Sequence, residues 1–184
     1  WSSDVCSSDL VYSRIAERLA DTLGLQRFGW LGTSMGGALG IYASASNLKG
    51  RITDLIINDI GPELPAEAIT RIRTYAGSPP TFARASEFEA WTRQVYAPFG
   101  AHTDAQWRHL AMSAMRRLPD GRVTSHYDPR IVGQFDHHPG DYRLWSRFEQ
   151  VEAPMLLLRG MTSDLLTPSI AARMREMKDR KSTR

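Results

Sequence analysis

One cysteine, Cys6, stands among 184 residues, so no disulfide can form within the chain and the fold must rest on packing. No apolar run approaches the roughly 20 residues that cross a bilayer, and no basic segment followed by an apolar one resembles a secretory leader. An excess of either charge is also lacking. Lys and Arg number 23 against 20 Asp and Glu, a net +3, and they are scattered among acids until the late cluster Lys178–Arg184. Neither a nucleic-acid surface nor a membrane surface is expected, and a cytoplasmic protein is the default. There is no internal repeat and no low-complexity tract, and the sequence carries no signal of oligomeric state. Hydrophobic residues make up 42%, enough for one substantial core.

The two ends are unlike the rest. Trp1–Leu10 has neither helical nor strand periodicity, and it abuts a helical pattern without a capping residue. Together with Arg180–Arg184 it resembles translated adapter read-through. Native sequence is therefore expected from about Val11 to about Asp179.

What is present is a recognisable order of elements. Val11, Ile15, Leu19 and Leu23 recur every four residues, as on the buried face of an amphipathic helix, and Gly24 is placed to end it. A short apolar strand follows and runs into Gly32-Thr-Ser-Met-Gly-Gly37. Gly-x-Ser-x-Gly is the pattern of a nucleophile elbow, a sharp strand-to-helix turn with the serine at its apex. By chance alone such a pattern arises roughly once in fifteen chains of this length, so its context matters. The segment after it, through Ser46, is rich in small residues, as suits a helix pressed against a sheet. Ser34 is the candidate nucleophile. The Met35 N–H, at the positive start of that helix, is the candidate oxyanion donor. A phosphate-binding loop is disfavoured because Ala38-Leu39 stand where it needs Lys and Ser or Thr.

Arg51–Ile60 reads as a buried parallel strand halted by Gly61-Pro62, and Pro154–Gly160 as a second. About ninety residues between them have another character. Helices are expected over 63–76, 83–96 and 103–118, with Trp91, Trp107, Leu110 and Met115 as packing residues, and a short helix near Trp145. Pro119-Asp-Gly121 breaks the third helix. The last helix, about Pro168–Lys178, has Thr167 as N-cap and Pro168 in its first turn.

A serine needs a base, ordinarily a histidine oriented by a carboxylate. Asp164 follows the second strand, at the sheet edge where open α/β proteins build sites, and is the candidate acid. Asp59, at the end of the preceding strand, is the alternative. His102, His109, His126, His137 and His138 all precede Asp164, and each reads first as a surface or packing residue. His137-His138 lacks zinc-ligand spacing, so neither a metal nor any other cofactor is assigned.

These residues resemble the α/β-hydrolase superfamily over Val11 to about Asp179, matching its second half. Residues 32–37 look like its elbow, Leu55–Pro62 like the strand leading into its cap, and Pro154–Asp164 like the strand and loop bearing its acid. Asn58–Pro62, Arg159-Gly160 and Ser163–Leu166 are similar to a bacterial serine esterase-like subgroup. The resemblance implies an α/β fold of parallel strands flanked by helices, with a helical cap inserted. The expected organisation is a first core part over 11–61, a cap over 62–150 and a second core part over 151–179, with 1–10 and 180–184 outside the native sequence. It also implies truncation at both ends, since the first four strands, the second oxyanion donor and the catalytic histidine have no counterpart among these residues. The implied activity is hydrolysis of a small carboxylic ester or related acyl substrate through an acyl-enzyme, with Trp91, Tyr96, Trp107 and Trp145 available to wall the acyl or alcohol group. The 184-residue polypeptide itself is expected to be nearly inactive. Carbon–carbon bond hydrolysis, lactone opening, or a binding protein without catalysis are the alternatives on the same scaffold.

Overall fold

The computed structural model describes residues 9–182, so residues 1–8 and 183–184 of the segments expected to be non-native lie outside it. The chain divides into two compact units, one holding the residues up to Thr70 and from Gly133 onward, the other Arg71–Val132.

In the first unit, helix α1 (Asp9–Thr22) ends as its sequence indicates. Gly24, at φ +68°, donates to the Asp21 carbonyl while the Leu25 N–H reaches back to Ala20. That paired closure satisfies two terminal carbonyls, and the positive φ explains the glycine. The buried face of α1 differs from the expectation. Ile15, Leu19 and Leu23 are more than half exposed and Val11 nearly so, whereas Asp9, Ser13 and Ala20 are buried. The helix rests on α2 (Met35–Ser44), and the Asn47 amide bonds the Ser13 carbonyl and Glu17. The small and polar residues of α1 face inward, and the leucine stripe is largely exposed.

Strands β1 (Phe28–Thr33), β2 (Ile52–Asn58) and β5 (Met155–Leu158) form a parallel sheet in the order β1-β2-β5. Register puts Trp30, Leu55 and Met155 side by side, then Leu31, Ile56 and Leu156 on the opposite face. The first face is covered by α2, whose Gly40 approaches so closely that a Cβ there would lie 2.7 Å from Trp30 Nε1 and 2.8 Å from a Leu55 methyl. The other face is open. Leu31 is 68% exposed and Leu156 52%.

The first unit also contains α3 (Ala66–Ala76) in part, α6 (Gln134–His137), α7 (Trp145–Gln150) and α8 (Pro168–Ser182). Thr167 Oγ1 accepts the Ile170 N–H, so the threonine caps α8. Where the chain leaves and re-enters, Glu63 and Arg143 pair as an antiparallel bridge, and Pro62 O accepts the Leu144 N–H at 2.7 Å. Trp145 Nε1 donates to Glu63 Oε2 at 2.7 Å, and the Arg173 guanidinium lies 3.8 Å over the Trp145 ring.

The second unit packs α4 (Ala85–Val95) on α5 (Asp104–Ala114), with Phe88, Ala111 and Val123 at its centre and Phe82, Trp91 and Met115 around them. Thr103 and Gln106 cap α5 reciprocally. The helix expected to run to Leu118 stops at Ala114. Met115–Arg117 is instead β3, paired antiparallel with β4 (Val123–Ser125). The reason lies in the turn between them, where Gly121 adopts φ +86° and Asp120 binds both the N–H and the guanidinium of Arg122. That chemistry favours a hairpin over another helical turn. Among the described residues no helix is long and apolar enough to cross a membrane.

Candidate active site

Ser34 occupies the junction of β1 and α2 with φ +51° and ψ −124°, a conformation few non-glycine residues adopt. Three contacts hold it there. Its N–H donates to the Asn58 carbonyl of β2 at 3.1 Å, and its own carbonyl receives the Gly37 and Ala38 N–H groups, beginning α2. Gly32 passes so close beneath the turn that any Cβ would overlap the Gly36 carbonyl. That carbonyl is fixed in turn by Trp30 Nε1 at 2.9 Å. The last glycine of the five-residue pattern has a different part, because a Cβ on Gly36 would meet nothing within 4 Å. It is Gly37 that lies tight against Ile57 and Ile60.

The half-buried Ser34 makes no side-chain capping bond to α2. The Met35 N–H has no acceptor among the described residues. Its donor and the helix that follows present partial positive charge beside the serine, the condition for stabilising an anionic oxygen.

Asp59 and Asp164 both lie at the carboxyl edge of the sheet. Asp164 is exposed on the bend between β5 and α8. This bend is well braced: the Ser163 N–H donates to the Gly160 carbonyl, Ser163 Oγ accepts the Leu165 and Leu166 N–H groups, and Arg159 Nε donates to the Leu166 carbonyl at 2.8 Å. Asp59 sits at φ +58° immediately after β2, and its Oδ1 accepts the Gly160 N–H at 2.8 Å. Parallel strands thus deliver the Ser34 turn, Asp59 and the Asp164 bend to one edge. Sequence reasoning pointed to the segments holding Arg159 and Ser163 but assigned these two residues no part. Their signal is only that both polar residues stand just ahead of an aspartate, after an apolar strand.

The histidines divide between the units. His102, stacked on Trp107 with ring centroids 4.7 Å apart, belongs with His109 and His126 to the second. His137 and His138 belong to the first. No group of three or more His, Cys, Asp or Glu among the described residues could hold a metal ion. Of the expected wall aromatics, Trp91 packs with Phe82 and Phe88 inside the second unit, and Trp145 is committed to Glu63 and Arg173. A groove of about 960 Å³ runs along β5 and α8, lined by Met155, Leu157, Ala171, Met174 and Lys178. None of Ser34, Met35, Asp59 and Asp164 contributes to its lining.

No protein-family model matches the chain. Over 161 residues it is 36% identical to the 3-hydroxybutyrate-oligomer hydrolase of Cupriavidus necator, a match covering 83% of this chain and 55% of that one. It superimposes on the crystal structure of an α/β hydrolase from Novosphingobium aromaticivorans with a TM-score of 0.82 and 29% identity, covering 96% of this chain and 64% of the other. An esterase of Mycobacterium tuberculosis, with a TM-score of 0.69 and 22% identity over 96% of this chain and 58% of its own, shares the fold. The chain spans about half the length of the curated relative it matches.

Proposed function

The chain belongs to the α/β-hydrolase superfamily, and from that premise we propose that it carries the nucleophile and acid of a serine hydrolase acting on a carboxylic ester through an acyl-enzyme. The observation that carries this reading is the conformation of Ser34, a positive-φ serine held at the start of α2 by the Asn58 carbonyl. Strain of this kind persists only where surrounding structure fixes it, and here it sets the hydroxyl beside an unused helix N-terminus.

In the proposed reaction Ser34 Oγ attacks the ester carbonyl as a histidine takes its proton. The Met35 N–H stabilises the tetrahedral oxyanion. Collapse breaks the carbonyl–alkoxide bond, the imidazolium protonates the departing alcohol, and the acyl group remains on Ser34 until water removes it. Asp164 orients that histidine. In the order serine, acid, histidine the base follows Asp164, and the 184 residues include no histidine there. The helical second unit is the cap in this reading, and Trp91 serves its internal packing. The substrate favoured for testing is a short oligoester of a hydroxy acid, since the 36%-identical relative is named for hydrolysing 3-hydroxybutyrate oligomers.

The test is covalent labelling of the 184-residue polypeptide with a fluorophosphonate, with and without imidazole as a soluble base, followed by peptide mapping. Label is expected on Ser34, increased by imidazole and absent from Ser34→Ala. Label elsewhere, or none at any imidazole concentration, refutes the assignment. Without imidazole, turnover of p-nitrophenyl butyrate should lie several powers of ten below that of a complete triad.

A further inference from the structure

Two consecutive residues at the end of β2 reach in opposite directions. Asn58 serves the nucleophile: its carbonyl accepts the Ser34 N–H at 3.1 Å and its Nδ2 donates to Thr33 Oγ1 at 3.1 Å. Asp59 serves the acid loop: its N–H donates to the Leu158 carbonyl at 2.9 Å, and its Oδ1 accepts the Gly160 N–H at 2.8 Å. The left-handed backbone at Asp59, φ +58°, is a conformation that aspartate tolerates better than most residues. Leaving the sheet direction there lets a single short side chain cross to the first residue beyond Arg159.

The tether extends through the loop. Gly160 gives its N–H to Asp59 and its carbonyl to the Ser163 N–H, and Ser163 Oγ gathers the two amides that follow Asp164. A displacement of Gly160 is therefore passed to the bend that carries Asp164. Sterics do not enforce the glycine, since a Cβ at Gly160 would stand at an ordinary 3.6 Å from Asp59 Oδ1. The charge-assisted bond supplies the hold.

We infer that Asp59 is a positioning residue, not the catalytic acid. Through β2 it fixes the Asp164 loop to the same strand end that holds Ser34. This rests on the reading of Ser34 and Asp164 as nucleophile and acid, but the tether can be measured apart from it.

Amide hydrogen exchange over residues 160–166 should be compared in the 184-residue polypeptide and its Asp59→Asn and Asp59→Gly variants. Asparagine keeps an acceptor oxygen and tolerates positive φ, whereas glycine keeps the backbone freedom and loses the acceptor. Exchange is expected to rise about tenfold in Asp59→Gly, as for loss of a charge-assisted bond, and by clearly less in Asp59→Asn, which keeps a neutral acceptor. Unchanged exchange in Asp59→Gly overturns the tether. Imidazole-dependent acylation of Ser34 is the second readout, expected to fall in Asp59→Gly and be restored in Asp59→Asn. Loss of acylation in Asp59→Asn with the loop still protected would make Asp59 the acid and overturn the inference. If the unsubstituted polypeptide is not acylated at all, the functional reading fails, and the exchange result alone decides the tether.

Discussion

Asp9, 6% exposed, lies at the start of α1 with its N–H bonded to Asp141 Oδ2 at 2.8 Å and its own Oδ2 without a partner among the described residues. Burial first, and then the charge of Asp141, push its carboxyl up to about 7. Tyr142, bonded to Gln134, is pushed upward as well, by burial and then by Asp9 and Asp141. A carboxyl that holds its proton more tightly when folded favours folding in acid. Its contribution is present below the ordinary value of 3.8 and is lost as pH rises through about 7. Asp9→Asn should accordingly raise the unfolding free energy at pH 8, by about 1–3 kcal/mol, and flatten its fall between pH 4 and 7. Urea titrations at several pH values measure both effects. Single residues differ in how openly the sequence announces them. Ser34 is legible because its turn is encoded within six neighbours. Asp59 as a tether is not, because its partner Gly160 is 101 positions away and no local pattern marks the pair.

Helix α2 brings the consequences of small residues to the level of an element. Gly40→Ala places a methyl against Trp30 and Leu55, and overpacking of that kind costs about 1–3 kcal/mol. Gly36→Ala meets open space in the first turn of the same helix, and the gain in helix propensity should stabilise by up to about 1 kcal/mol. Opposite signs in chemical denaturation would confirm that packing on the sheet, not glycine content, sets the requirement. Periodicity revealed α1, and a run of small residues α2, but neither showed which side of α1 is covered. The leucine stripe carried the stronger pattern, yet the residues of α1 that are buried are Asp9, Ser13 and Ala20. The β3–β4 hairpin was written in Pro119-Asp-Gly121. There the alternating chemistry of a short strand was outweighed by the helical run before it, which continues through Ala114.

At the scale of the molecule, the parallel order of strands and the placing of Ser34, Asp59 and Asp164 at their carboxyl edge follow from the sequence of elements, while the state of the sheet's second face does not. Leu31, Ile56 and Leu156 form an apolar row in register across three strands, extended by Leu158 at 43% exposure. An uncovered row of this kind should bind a dye such as anilinonaphthalene sulfonate under native conditions. Leu31→Thr with Leu156→Thr is expected to cut that fluorescence severalfold while changing stability by less than about 0.5 kcal/mol per site. A dark native protein would mean the row is covered in solution. The bridge of Glu63 with Arg143, closed by Pro62 with Leu144 and by Trp145, has another kind of consequence. The chain from 64 to 142 departs and returns through one paired doorway, and its middle part, Arg71–Val132, is a compact unit of its own. Doubling its length would add only about 0.6 kcal/mol of closure entropy. Insertions between Arg71 and Val132 are expected to leave the register of β1, β2 and β5 unchanged, which amide exchange in the three strands would check.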